Sequence, residues 1–436
     1  NVPDYDGMIH YYATCFYAQA GNSDRALDYM KKALELGYAN YYDWTTNNEA
    51  RINVAPLRKD ERFRQLLHQY SDILMHRYIL AIISIFISLC SFDASSCTSA
   101  IAGASRTSNG RALLWKHRDC GTEHNFIERV PQTDSTLAYV ALFNAGDSLL
   151  HEAWTGFNEA GLAIMNTASY NLAPDTARIK DREGIIMTKA LQKCRTLSDF
   201  EHMLDTLPRP MGIQANFGLI DSSGNGAYYE ADDWSYIKYP LDSVSDNVII
   251  RTNYSFSRNV SDGFGYIRYN NACHLLSPYI KASNISPDVF TECLSRSFYH
   301  SVLDVDYTDD SPQWIVDQDF IPRYSSSASV VIEGIRHGED PVKDMVMWVV
   351  IGYPPCSHAE AVTLEENGIP ESLRPTLPGW RSPLCEDVVT RKHEVFPIHH
   401  GNGNKYINMD VLRSISKQQS EISKKNYRNL NRKKKK

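Results

Sequence analysis

The chain has 436 residues and carries a formal net charge of −7 at pH 7. Its hydrophobic fraction of 43% and its charged fraction of 22% are typical of a soluble globular protein with a substantial core. The negative net charge argues against nucleic acid as the main partner, although the chain ends in the basic segment "SKKNYRNLNRKKKK". We predict that this tail, residues 411–436, is disordered and solvated.

The first 74 residues predict a helix-turn-helix, with Gly21 at the turn and Ala26, Met30 and Ala33 at helical spacing. This segment resembles the last unit of a tetratricopeptide repeat array. The stretch "YDWTTNNEARINVAPLRKDERFRQLL" resembles the closing segment of such an array. A single repeat cannot bury its own apolar face, and about three are needed for stability. We therefore interpret residues 1–74 as a fragment of an upstream repeat protein, joined to a secreted protein by a reading-frame assignment or by real fusion.

A short apolar run, "YILAIISIFISLC", occupies Tyr78–Cys90. Its length fits the hydrophobic part of a secretory signal, whereas a membrane span needs roughly 20 apolar residues. His76 and Arg77 give the run a weakly basic start, and Met75 before them resembles a translation start. A buried core helix is the alternative, but it does not explain the basic start together with the small residues after the run. We predict that residues 75–96 are a signal peptide.

The predicted signal ends in a plausible cleavage site. Ala94 and Ser96 stand three residues and one residue before a cut that leaves Cys97 as the first residue of the mature chain. The mature protein is then expected in the periplasm or outside the cell. Further cysteines could pair in an oxidising compartment, although the sequence fixes no pairing; they are Cys120, Cys194, Cys273, Cys293, Cys356 and Cys385.

Past Cys97 the chain alternates strand-like and helix-like segments. Two strands around the Asn109-Gly110 turn form a predicted hairpin. Helical spacing occurs next in "GIIMTKALQKCRTLSDFEHMLDTL", with Ser198 as the expected cap of its second part. Further strands are expected in "TLAYVALFN", "GLAIMNTASYN", "NVIIRTNYSF", "SSASVVIEG" and "KDMVMWVVIGYP", and further helices in "NNACHLLSPYI" and "SPDVFTECLSRSF". This order predicts one α+β domain at residues 97–410.

A cysteine at a new N-terminus can carry its own base. A free α-amine has a pKa of about 7.7–8.0 and accepts a proton at neutral pH. The thiol becomes a better nucleophile where a nearby cation favours the thiolate. Such a site also needs a carboxylate to hold the amine, and amide or backbone N–H groups to stabilise an oxyanion.

The segment "CTSAIAGASRTSNGRALLWKHRDCG" resembles the opening of cysteine-type N-terminal-nucleophile (Ntn) hydrolases. The resemblance is to the isopenicillin-N acyltransferase-like family and to its relatives, the choloylglycine hydrolases and penicillin V acylases. It implies that Cys97 is the nucleophile and that Asp119 orients its amine. Lys116 stands where the choloylglycine relatives carry arginine, which implies a substrate-binding residue that keeps the charge but loses the bidentate fork.

Later segments extend the resemblance to about residue 360, among them "FGLIDSSGNGAYYE" and "MWVVIGYPPC". Three others imply further site residues. "GFNEAGLAIMN" is similar to a family segment whose asparagine contributes to the oxyanion hole, which implies Asn166, at a spacing two residues shorter than in the choloylglycine relatives. "IIRTNYSF" is similar to the strand that carries the second amide, which implies Asn253. "GYIRYNNA" is similar to the segment of the late active-site arginine, which implies Arg268.

The resemblance implies a four-layer αββα sandwich, preceded here by the small helical segment. It also implies a secreted hydrolase that cleaves a linear amide through an acyl-thioester on Cys97, without a cofactor. An acyltransferase that moves the acyl group to an amine shares every step up to the thioester and remains an alternative. A membrane-tethered interaction protein built on residues 1–74 is an alternative of another class. No metal site is predicted, and the expected partner is a small-molecule amide or acyl donor. Membrane contact is expected only through the signal segment. A homo-oligomer is compatible with the sequence.

Overall fold

The computed structural model describes residues 7–36, 38, 54–70, 97–172, 180–401 and 403–433. The chain divides into two compact units, Asn1–Phe92 and Asp93–Lys436. The predicted signal peptide at 75–96 lies outside the described residues. Within the part of the chain that is described, no helix combines the length and the apolar character that a bilayer span requires.

The first unit contains the predicted helical hairpin. Helices α1 (Met8–Gln19) and α2 (Ser23–Glu35) flank Gly21, whose φ of 75° is in the left-handed region that glycine tolerates. A 3₁₀ turn at Ala55–Lys59 and helix α3 (Glu61–Gln69) come after them. The predicted inward positions Ala26, Met30 and Ala33 are all fully buried. The hairpin and its inward face are thereby confirmed.

The second unit is built from strands with helices between them. Its helices are α4 (Glu183–Lys193), α5 (Leu197–Thr206), α6 (Tyr266–Ala282), α7 (Pro341–Asp344), α8 (Pro383–Val395) and α9 (Met409–Lys433). Its strands are β1 (Thr98–Ala102), β2 (Leu113–Asp119), β3 (Asn125–Val130), β4 (Tyr139–Asn144), β5 (Thr155–Asn158), β6 (Ala163–Ala168), β7 (Ala215–Ile220), β8 (Gly226–Ala231), β9 (Tyr236–Pro240), β10 (Val248–Arg251), β11 (Tyr299–His300), β12 (Val305–Asp306), β13 (Trp314–Val316), β14 (Ser326–Glu333), β15 (Val346–Ile351), β16 (Glu360–Val362) and β17 (Tyr406–Asn408).

The strands form two large antiparallel sheets. One has six strands in the order β10-β1-β2-β14-β15-β16, and the other has seven in the order β3 to β9. Two small ribbons, β11-β12 and β13-β17, stand apart from them. The predicted hairpin is confirmed, because β1 and β2 pair across the Asn109-Gly110 turn with Ala102 opposite Leu113.

The two sheets pack face to face, and helices cover the outer face of each. Apolar side chains of both sheets meet in one cluster, for example Ile101 and Leu114 with Val140, Phe157 and Met165. The outer face of the seven-stranded sheet packs on α4 and α5, through residues that include Ile164, Met187, Leu191 and Phe200. The outer face of the six-stranded sheet packs on α6 and α9, through residues that include Trp115, Leu276, Val350 and Tyr427. The predicted four-layer αββα sandwich is therefore confirmed.

The prediction of a disordered tail at 411–436 is wrong for the described residues. They form α9, which belongs to the sandwich domain, so the expected boundary at residue 410 is also wrong. Leu412 and Ser423 are buried, and the ring of Tyr427 lies 4.0 Å from that of Trp348. The high charge of this segment concealed a stripe of apolar, hydroxyl and amide side chains at helical spacing, which is sufficient to pack the helix on the domain.

Two helix assignments also need correction. The second part of the long helical pattern is capped by Thr196, whose side chain forms a capping box with Asp199, and Ser198 lies inside the helix. The helix expected in "SPDVFTECLSRSF" is a π-helical turn at Val289–Cys293 with a 3₁₀ turn at Leu294–Arg296 after it. Among the described residues, no cysteine forms a disulfide bond.

Candidate active site

The candidate nucleophile lies where three strand ends meet. Cys97 directly precedes β1, which runs between β10 and β2 in the six-stranded sheet. Thr98 pairs with His117 near the end of β2, and Ser99 pairs with Arg251 at the end of β10. The antiparallel pairing therefore places the residues after β10 and those that end β2 beside Cys97. Its side chain is buried, and Sγ lies 3.9 Å from the main-chain oxygen of Asp119.

Arg268 holds the main chain of Cys97. Its Nη1 donates to the carbonyl oxygen of Cys97 at 2.8 Å and to Oγ1 of Thr98 at 2.9 Å, while Nη2 donates to Oδ1 of Asn253 at 2.7 Å. Gly265, at the start of α6, permits this approach, because a Cβ there would lie 2.3 Å from Nη2 of Arg268. Burial lowers the pKa of Arg268 to about 9. One guanidinium thus links the candidate nucleophile to a candidate oxyanion-hole residue.

Asn253 is fixed from both ends of its amide. Oδ1 accepts from Arg268, and Nδ2 donates to the carbonyl oxygen of Ala168 at 2.9 Å. Its main-chain oxygen accepts from the N–H groups of Tyr170 and Phe264 at 3.2 and 3.3 Å. These bonds connect the end of β6 to the segment after β10, so Asn253 lies between the two sheets at the level of Cys97.

Lys116 lies on the face of β2 that points at the other sheet, and it forms a buried pair with Asn166 on β6 of that sheet. Nζ of Lys116 donates to Oδ1 of Asn166 at 2.6 Å and to the carbonyl oxygen of Trp154 at 2.8 Å. The lysine is only 1% exposed, and burial lowers its pKa to about 8. Because Lys116 occupies Oδ1, the donor end of the Asn166 amide points away from it. These contacts fit a cation that orients the Asn166 amide and whose charge lowers the pKa of the Cys97 thiol.

The Cys97 thiol experiences opposing effects. Burial raises its pKa, the charge of Lys116 lowers it, and the carboxylate of Asp119 raises it again. The cation is therefore the strongest influence in favour of the thiolate. Arg118, which lies with its guanidinium 4.8 Å from the Trp154 ring centre, acts in the same direction.

The carboxylate of Asp119 is fully buried and engaged by two residues that sequence reasoning missed. Oδ2 accepts from Nε and Nη2 of Arg323 at 3.0 and 2.9 Å, and Oδ1 accepts from Ser326 at 2.6 Å. His117 lies 3.6 Å from Oδ1, and burial lowers its pKa to about 4. No spacing in the sequence points to Arg323. The pairing of β14 with β2, which puts Ser326 opposite Asp119, is what brings these residues together.

The six predicted residues thus fall into one region of the sandwich. Direct contacts join Cys97, Arg268 and Asn253, and a separate bond joins Lys116 to Asn166. Asp119 approaches the thiol through its main chain. Across the described residues, no group of three or more histidine, cysteine or acidic side chains could hold a metal ion.

This arrangement can support nucleophilic attack on a carbonyl carbon. It offers a thiol beside a cation, two positioned side-chain amides, and a carboxylate close enough to affect the pKa of the same thiol. The nitrogen of Cys97 is part of a peptide bond with Ser96 in the full chain. Cleavage of that bond would turn the nitrogen into an amine.

Comparison with known proteins finds similarity only at the level of structure. No family model and no curated protein matches the chain. An N-acylethanolamine-hydrolyzing acid amidase ortholog from Caenorhabditis elegans is similar at 14% identity with a TM-score of 0.38, over 54% of this chain and 92% of that one. Penicillin V acylase from Agrobacterium tumefaciens is similar at 12% identity with a TM-score of 0.35, over 62% of this chain and 86% of that one. A variant of conjugated bile acid hydrolase from Clostridium perfringens is similar at 11% identity with a TM-score of 0.37, over 62% of this chain and 93% of that one.

Proposed function

We propose that the protein is a secreted cysteine amidase of the Ntn type, which cleaves a linear amide through an acyl-thioester on Cys97. The observation that carries this proposal is the double contact of Arg268 with the Cys97 main chain and the Asn253 amide, at 2.8 and 2.7 Å. A residue that served only to stabilise the fold would not need to couple the residue before β1 to an amide between the sheets. Removal of residues up to Ser96 is part of the proposal, because only then does Cys97 carry an amine.

In the proposed reaction the α-amine of Cys97 takes the proton of its own thiol. The thiolate then forms a bond to the carbonyl carbon of the substrate, and the carbonyl oxygen becomes an oxyanion. As the tetrahedral intermediate collapses, the carbon–nitrogen bond breaks and the leaving amine takes the proton from the α-ammonium. In the second half the α-amine takes a proton from water as the water oxygen forms a bond to the thioester carbon. The carbon–sulfur bond then breaks, the acid is released, and the thiolate recovers the proton from the α-ammonium.

Asn166 and Asn253 are the proposed donors to the oxyanion. A positioned donor of this kind typically contributes about 3–4 kcal/mol to transition-state stabilisation. Each amide has its carbonyl end bound to a cation, Asn166 to Lys116 and Asn253 to Arg268. This arrangement turns the carbonyl oxygens away from a developing negative charge. At Asn253, whose Nδ2 already donates to the Ala168 carbonyl, it leaves one N–H for the oxyanion.

The proposal is tested by trapping the acyl-enzyme. The processed protein is mixed with a panel of acyl anilides, quenched in acid and examined by intact mass and peptide mapping. We expect one acyl group on Cys97 that hydroxylamine removes, as it does a thioester. The variant Cys97→Ser should lose the labile adduct and lose turnover by orders of magnitude.

The matched control is Cys120→Ser, because Cys120 is also buried and lies on the other side of Asp119 in sequence. This variant should keep the adduct. An acyl group on any residue other than Cys97, or turnover that survives Cys97→Ser, would contradict the proposal. Addition of a free amine during turnover separates the two reaction types, because an acyltransferase would yield the new amide and a strict hydrolase the acid.

A further inference from the structure

The C-terminal helix α9 presents a row of cations on the side opposite its buried face. We call this row the basic stripe; its residues are all exposed and are Lys417, Lys424, Lys425, Arg428 and Arg432. At about 100° per residue they fall within an arc of roughly 100°, centred opposite Ser423, and the row is about 22 Å long. Glu421 lies in the same arc and pairs with Lys424 at 2.8 Å.

Packing of α9 on the domain fixes the direction of the stripe. Oγ of Ser423 accepts from the N–H of Ala359 at 2.9 Å, and Nδ2 of Asn426 donates to the Ala359 carbonyl at 3.0 Å. The Tyr427 ring lies 4.0 Å from that of Trp348. Because this face is held by the sandwich domain, the opposite face points permanently to solvent.

Folding alone does not explain a stripe of this kind. The chain as a whole is acidic, with a net charge of −7, yet five cations share one side of one helix. Like charges three or four residues apart on a helix destabilise it by a few tenths of a kcal/mol each. The sequence adds three more lysines, Lys434, Lys435 and Lys436, directly after the described part of the helix. The charge pattern therefore fits an anionic partner.

We propose that the basic stripe docks the domain on an anionic lipid bilayer. Clusters of Lys and Arg on a helix are attracted to anionic headgroups, and a straight stripe matches a flat charged surface. Ile422, which is 39% exposed, lies three residues before Lys425 and adds an apolar contact at the edge of the stripe. Nucleic acid fits less well, since the chain as a whole is acidic and the stripe contains no aromatic ring for base stacking. The sequence predicted membrane contact only through the signal segment. The basic stripe would be a second membrane contact, made by the sandwich domain.

The test is sedimentation of the full chain with lipid vesicles. One vesicle contains only phosphatidylcholine, and the other contains about 30% phosphatidylserine. We expect binding to the second vesicle alone, and a steep loss of binding as salt rises from about 50 to 300 mM. Replacement of all five stripe residues by Gln should lower the partition coefficient by about 100-fold to 3,000-fold, since each cation near an anionic surface changes it roughly fivefold.

A matched control removes the same amount of charge elsewhere. Its five exposed lysines are replaced by Gln; they are Lys31, Lys32, Lys189, Lys281 and Lys343. This control should bind like the unmodified chain, and both variants should keep the secondary structure and unfolding temperature. Equal loss in the control, equal binding to both vesicles, or tighter binding to duplex DNA than to the anionic vesicle at about 150 mM salt would each overturn the proposal. The experiment does not depend on the amidase proposal, because its readout is binding and not turnover.

Discussion

Lys116 combines two effects at one buried position. It binds the carbonyl end of Asn166 at 2.6 Å, and its charge is the main influence that lowers the pKa of the Cys97 thiol. An arginine would carry the same charge but present a planar fork of donors in place of a compact ammonium, so it would not reproduce the same two hydrogen bonds. The short lysine is therefore suited to this site, where its amine lies between the two sheets.

Replacing Lys116 by Met removes the contact that orients the Asn166 amide. We expect kcat to fall by about 100-fold, the effect of losing one oxyanion donor. The pH dependence gives a second readout. The pKa of Lys116 is about 8, so its charge is present below that pH and lost above it. We expect the pH–activity profile of the processed enzyme to contain a falling limb near pH 8 from loss of this charge, opposed by the rise from deprotonation of the α-amine. The falling limb should be missing in Lys116→Met. An unchanged high-pH limb in the variant would show that another group causes it.

Asp119 has both a proposed catalytic role and a structural one. Its fully buried carboxylate compensates the charge of Arg323, so Asp119→Asn removes the charge that balances this cation. We expect a loss of stability of about 3 kcal/mol together with a fall in kcat. The double variant Asp119→Asn/Arg323→Met removes both charges and should recover the stability but not kcat. Recovery of kcat in the folded double variant would remove Asp119 from the mechanism.

At the scale of the element, β2 carries different chemistry on its two faces. Lys116 and Arg118 point towards the other sheet, whereas His117 and Asp119 point towards the helical layer, where His117 contacts the hydroxyls of Ser295 and Ser326 at 3.2 and 2.9 Å. This alternation results from the two-residue period of a strand. A slip of one residue would exchange the two sets of charges and dismantle the site.

His117 should make stability depend on pH in the acidic range. Burial lowers its pKa to about 4, so between that value and its unfolded pKa of about 6.5 the unfolded chain binds more protons than the folded one. Stability therefore rises with pH in this window and falls on acidification, by about 2 kcal/mol from pH 7 to 5. Urea unfolding at both pH values should show this loss in the free energy of unfolding. In His117→Gln the loss between the two pH values should be smaller by about 2 kcal/mol. An equal loss in the variant would assign the effect to carboxylates.

The contact between α9 and the sheet should contribute measurably to stability. Tyr427 packs on Trp348 at 4.0 Å, and its hydroxyl lies 2.8 Å from that of Thr291. We expect Tyr427→Ala to cost about 3 kcal/mol in urea unfolding. Lys425→Ala, two residues earlier on the exposed face, should change stability by no more than about 0.5 kcal/mol. Equal effects of the two substitutions would mean that α9 is not packed as described.

Local pattern was sufficient for those elements whose signals are local. The β1-β2 hairpin could be predicted from the Asn109-Gly110 turn, and the helical hairpin of the first unit from Gly21 and its apolar spacing. Arg323 could not be found in this way, since it reaches Asp119 only through the pairing of two strands distant in sequence. The packing of α9 was missed for a related reason: its buried stripe contains hydroxyl and amide side chains, which indicate an exposed face until a partner surface is known.

At the scale of the whole molecule, the chain consists of two units of different character. The unit Asn1–Phe92 contains a small helical hairpin, and the unit Asp93–Lys436 contains the sandwich and every candidate catalytic residue. Cys97 lies close to the start of the second unit and directly before β1, which is paired with a strand on each side. Cleavage at this point would therefore leave the sandwich intact while it exposes the proposed nucleophile.

The most direct test of the proposed mechanism is the N-terminal residue of the active enzyme. The protein is produced in a secreting host, the fraction that cleaves acyl anilides is isolated, and its intact mass and first residues are determined. We predict that active molecules begin at Cys97 and that chains retaining Ser96 are inactive, because an acylated nitrogen cannot accept the thiol proton. Activity in molecules that still carry Ser96 would contradict this mechanism.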